Sequence, residues 1–108
     1  MTDCHQEYLE KAGGAMSRGD YLSAMQFALR AAEVPRGQEA IRCEAYILLA
    51  LTSLALELAE DALAFAVGAS LAAVWVQDGE RIDKAQSVVE LVMAHYPRLG
   101  ECAAPLLH

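Results

Sequence analysis

At 108 residues and 11.6 kDa the chain is the size of one domain, with room for a modest core and none for a large enclosed cavity. Hydrophobic residues make up 56%, and only three Pro and seven Gly punctuate them, a balance that favours an all-helical protein. A formal net charge of −7 argues against non-specific nucleic-acid binding, which needs Lys and Arg to neutralise phosphates, and against an anionic membrane surface.

The apolar pattern runs at helical spacing nearly everywhere, with no sustained β-type alternation. A first helix is predicted over about residues 4–18, ending at Arg18-Gly19. The tripeptide Arg18-Gly19-Asp20 then reads as the bend between two helices. Asp20 is placed to accept the orphan N–H groups of the next helix, although Ser23 leaves the full capping box incomplete. Read as an adhesion motif it would need secretion, and the opening MTDCHQEYLEK lacks the charged-then-apolar layout of a secretory signal. A second helix is predicted over about 20–34, stopped by Val34-Pro35-Arg36-Gly37. A third covers about 38–56 and a fourth about 60–76, separated near Glu57–Asp61 by a break without Gly or Pro. Gln77-Asp78-Gly79 is a turn, and a fifth helix covers about 80–95, ending before Tyr96-Pro97. Residues 1–97 therefore form one helical domain and 98–108 a tail, whose Leu106 and Leu107 are candidates to fill a groove of the chain itself.

Glu57, Glu60 and Asp61 also cut the most apolar region into pieces of 12 and 15 residues (45–56 and 62–76). Both fall short of the roughly 18–20 uninterrupted apolar residues of a membrane span, so two core helices are expected instead.

Catalysis has little to work with. There is no Gly-rich phosphate loop, GxSxG, HExxH or CxxC. No enzyme activity and no cofactor are expected. Cys4, Cys43 and Cys102 are an odd number without metal or disulfide spacing, which fits a reducing cytoplasm. Cys43 reads as a small buried residue and His95 as a structural residue whose imidazole suits the dipole at a helix end. Cys4, His5 and the acidic cluster leave a small metal-binding protein as one alternative.

Binding has more to work with. The fourth helix, EDALAFAVGASLAAVWV, is apolar on every side, and such a helix asks to be buried all round. Either its neighbours wrap it completely, or part of its surface is left for a partner or a second copy. Trp75 is the leading candidate hot spot, with Leu71, Phe65, Tyr46 and Tyr8 beside it.

Three segments share a layout: GDYLSAMQFALRAAEVP (19–35), LAEDALAFAVGASLAAV (58–74) and RIDKAQSVVELVMAHYP (81–97). The first gives Gly19-Asp20-Tyr21, Ala24, Ala28, Ala31 and Pro35; the second Ala62, Ala66 and Ala69; the third Ala85 and Pro97. Tyr8 and Tyr46 precede the first two, each with an alanine four residues on, Ala12 and Ala50. This pattern resembles the tetratricopeptide (TPR) repeat, a two-helix unit with a small-residue stripe on its second helix, and covers most of residues 5–97. Pro35 comes one position early, and the Tyr8-to-Tyr46 spacing exceeds the family period of about 34 residues. The Met16-to-Ala24 turn and the size are similar to the small TPR-like chaperones of bacterial type III secretion, which hold an aggregation-prone subunit before export.

The resemblance implies a TPR-like stack of about five antiparallel helices. It implies a cytoplasmic, non-enzymatic adaptor or chaperone whose apolar groove accepts an amphipathic helix or extended segment of a protein partner. A self-assembling homodimer that buries the fourth helix across a two-fold is the other alternative.

Overall fold

A computed structural model describes residues 4–35 and 37–98. The fold is all-α: α1 (Cys4–Ser17), α2 (Tyr21–Ala31), α3 (Glu39–Ala55), α4 (Ala59–Val76) and α5 (Gly79–His95). These are the five expected helices. The largest departure is the end of α2, which stops at Ala31 rather than residue 34. Pro35 explains the early stop, because its ring crowds the helical conformation of the residue before it. The expectation of a tail that fills a groove falls mostly on residues 99–108, outside the described residues.

Each helix packs on the next, and α3 also touches α1 on one side and α5 on the other. Helices α2 and α4 are not packed on one another. The odd helices thus form one layer and the even helices a second. The molecule measures 44 × 31 × 19 Å along its principal axes.

Three of the four connections use one device. After α1, the Gly19 N–H donates to Met16 O and the Asp20 N–H to Ala15 O. After α3, the Glu57 N–H donates to Leu54 O and the Leu58 N–H to Ser53 O. After α4, the Gln77 N–H donates to Val74 O and the Asp78 N–H to Ala73 O. This is the Schellman pattern, which needs one left-handed residue just past the helix. Gly19 supplies it at φ 78°, but Glu57 (φ 62°) and Gln77 (φ 56°) adopt it without glycine's freedom. Asp20 then caps α2 through Ser23 N, and Asp78 caps α5 through the N–H groups of Glu80 and Arg81. Arg18-Gly19-Asp20 is accordingly an inter-helix turn.

The first two hairpins repeat one another. An offset of 38 residues carries Tyr8 to Tyr46, Ala12 to Ala50, Gly19 to Glu57, Ala24 to Ala62, Phe27 to Phe65 and Ala28 to Ala66. The equivalence is structural as well. Tyr8 stacks on Phe27 at 6.3 Å between ring centroids, and Tyr46 meets Phe65 at 6.1 Å. All the alanines in that series are fully buried. Small side chains let the helices of a pair approach closely, and the ring pair fills the space beside them.

The core is correspondingly light. Alanine is its commonest member, and Leu49 and Val92 are its largest fully buried side chains. Cys43 is buried too, its Sγ–H donating to Ala69 O at 3.4 Å, and burial pushes its thiol above the ordinary value. The stack ends in polar faces: Gln6, Glu7 and Glu10 of α1 and Asp83, Gln86 and Glu90 of α5 face water.

Candidate partner-binding surface

Among the described residues, the neighbours of α4 do not sheathe it. Its buried residues are Ala62, Ala66, Ala69, Ala72 and Ala73. Its large residues face outward: Val67 is 43% exposed, Val74 59%, Leu71 68% and Trp75 77%. The cause lies in packing. The alanine stripe is the side that lets α3 and α5 come close, so the bulky residues on the opposite side find no neighbour. Residues 60, 64, 67, 71, 74 and 75 share one sector of about 100° on a helix with 3.6 residues per turn. The outer stripe therefore runs from Glu60 through Ala64, Val67 and Leu71 to Val74 and Trp75, every one exposed. Helix α2 shows a weaker version, burying Ala24, Ala28 and Ala31 while Leu22 and Leu29 are exposed. Leu29 thus does not fill the space beside the stripe.

Beside the stripe a cleft of about 620 Å³ opens between the start of α3 and the end of α4. Trp75, Leu71 and Ala72 form one wall, and Tyr46, Arg42 and Glu39 the other. Gly68 forms part of its floor. A Cβ there would meet the Tyr46 ring at 3.0 Å, so the absence of a side chain is what lets the ring pack closely against α4. Arg42 does not swing freely. Its guanidinium pairs with both Glu39 carboxylate oxygens, at 2.5 and 2.6 Å, and donates to Val34 O, which ties α3 to the α2–α3 connection.

Of the five candidate residues, Trp75, Leu71 and Tyr46 come together at this cleft. Phe65 is half-buried behind Tyr46 and supports its ring. Tyr8 lies apart in the first hairpin, against Phe27, with Lys11 and Arg30 over its ring. Arg42, Glu39 and Gly68 were not anticipated. Gly68 and Arg42 carried no sequence signal that set them apart from ordinary helix residues.

A second, smaller cleft of about 480 Å³ crosses the odd-helix layer, over Leu9, Ile41, Leu48 and Leu51. At its rim Glu44 accepts from Lys84 at 3.1 Å and lies 3.4 Å from Arg81 Nε, while Arg81 also binds Asp78. These charges answer one another.

Among the described residues, no group of three or more His, Cys, Asp or Glu side chains is placed to hold a metal ion. Helix α4 is the one described helix long and apolar enough to cross a membrane by length and composition, with 28% of that stretch buried. No protein-family model, curated protein or solved structure matches the chain.

Proposed function

We propose that the protein is a non-enzymatic binding module, a TPR-like adaptor or small chaperone of the cytoplasm, whose α4 surface receives a segment of a protein partner. One observation carries the reading: α4 turns alanines inward and Trp75, Leu71, Val74 and Val67 outward. Burying those four in its own core would have been the more stabilising use of them, at about 1.5–3 kcal/mol for each large aliphatic side chain. Together they present an apolar patch on the order of 400 Å², comparable to the largest patches on soluble monomers, which are often functional. The adjoining cleft adds what a docking site needs: an aromatic wall at Tyr46, a flat floor at Gly68 and a fixed polar rim at Arg42 and Glu39. The duplicated hairpin, with its small-residue stripes, supports the TPR-like part of the reading.

The test is affinity capture from extracts of the source organism, with mass spectrometry, using the native chain, Trp75→Ala and Leu71→Asp. Both variants are expected to stay folded, because both side chains are exposed. Partner recovery is expected to fall at least tenfold, as for a hot spot worth about 1.4 kcal/mol or more. Undiminished recovery with both folded variants would refute α4 as the site.

A further inference from the structure

With α4 as the docking face, the charges around the stripe select its occupant. The stripe is apolar at its Trp75 end and acidic at its start, where Glu57, Glu60 and Asp61 are all exposed. The chain has no Lys or Arg between Arg42 and Arg81. Both flanking arginines are already engaged, Arg42 by Glu39 and Val34 O, and Arg81 by Asp78 and Glu44. Nothing within the second hairpin answers these three carboxylates. At 1.5 Å per residue the stripe from Glu60 to Trp75 is about 22 Å long, which one helix of about 14–18 residues covers. We infer that the occupant is an amphipathic helix with apolar residues at i, i+3 or i+4 and i+7, carrying Lys or Arg at the end that lies over Glu57, Glu60 and Asp61.

Two alternative occupants meet a cost here. A second copy would bring two chains of net charge −7 against one another. A lipid surface would have to accept Glu60, which lies within the apolar stripe itself. A basic-ended helix satisfies both ends of the stripe at once: apolar burial at Trp75 and opposite charge at the acidic turn.

The inference rests on the docking reading, and the experiment separates the two. Three synthetic 18-residue amphipathic peptides share one leucine stripe and differ only at one end, in Lys, Gln or Glu. Trp75 is the chain's one tryptophan, so its emission reports docking directly. The Lys-ended peptide is expected to shift Trp75 emission to the blue and to bind at least tenfold tighter than the Gln-ended one at low salt. That advantage should vanish in 0.5 M NaCl and in the Glu57→Gln/Glu60→Gln/Asp61→Asn variant, whose fold is checked by circular dichroism. Leu71→Asp should abolish binding of both peptides. If the Lys- and Glu-ended peptides bind equally and Leu71→Asp abolishes both, the charge inference is overturned while the docking face stands. If no peptide shifts Trp75, both are overturned. A dimer in sedimentation that Leu71→Asp dissociates, or a blue shift with zwitterionic phosphatidylcholine vesicles but with no peptide, overturns the basic helix in favour of a second copy or of lipid.

Discussion

Replacing Glu57 or Gln77 with glycine should stabilise the protein. Each holds a left-handed backbone, at φ 62° and 56°, in the position that Gly19 occupies after α1. A side-chain-bearing residue pays roughly 1–2 kcal/mol for that conformation, and glycine does not. Glycine also loosens the unfolded chain, which takes back about 0.4–1 kcal/mol. The net gain expected is about 0.5–1 kcal/mol per site. The hydrogen bonds that define each turn, such as Leu58 N–H to Ser53 O at 2.8 Å and Gln77 N–H to Val74 O at 3.0 Å, involve backbone atoms alone and survive the change. The two turns sit at opposite ends of α4, so the double variant should gain the sum, about 1–2 kcal/mol. For a domain of this size that raises Tm by roughly 4–8 °C per kcal/mol. Urea and thermal melts followed by circular dichroism at 222 nm measure it, with Gly19→Ala as the control that should lose about 1 kcal/mol. A fall in stability for Glu57→Gly and Gln77→Gly would refute the left-handed turns, and with them the structural equivalence of the hairpins.

Other expectations follow from the same structure. Backbone and side-chain hydrogen bonds from Arg81 hold the Asp78 carboxyl below its usual range. The stability it contributes is therefore present above the ordinary carboxylate pKa and lost as pH falls through the lowered value. Melts between pH 7 and pH 2 should show a shallower acid limb in Asp78→Asn than in the native chain. Ala66→Leu, which forces three more carbons into a fully buried site, should cost about 1–3 kcal/mol or more in urea denaturation, whereas Leu71→Asp should stay within about 0.5 kcal/mol. Burial raises the Cys43 thiol, so its contribution is present below the ordinary thiol pKa and lost as pH rises through the raised value. At pH 8 Cys43 should resist a thiol reagent that labels the exposed Cys4, and react only on unfolding.

The five helices were legible because apolar period and turn chemistry agree along most of the chain. The Arg18-Gly19-Asp20 bend and the Asp20 cap announce themselves through residue type. The turns at Glu57 and Gln77 do not, because the hydrogen-bond pattern after each helix imposes a backbone that neither residue favours. The 38-residue repeat was legible in its tyrosines and alanines but not in its turn, since the second turn lacks the Gly-Asp that marks the first. The orientation of α4 was not legible either. A helix apolar on every side carries no direction in its sequence, so only packing against α3 and α5 decides that alanines go in and Trp75 goes out. Leu71 and Trp75 were still found, because one turn of helix brings them together. Tyr46 joined them through contact between helices, while Tyr8, which pairs with Phe27 as Tyr46 does with Phe65, lies in the first hairpin away from α4.

The polar outer sides of α1 and α5 have a bearing on stoichiometry. A pile of hairpins with greasy ends would add molecule after molecule and grow into a fibre. Here the outer sides of both terminal helices carry carboxylates and amides, which opposes end-to-end growth. The exposed apolar flank along α4 lies sideways to that direction, and on the proposed docking reading complexes are expected as discrete particles, one guest to each host.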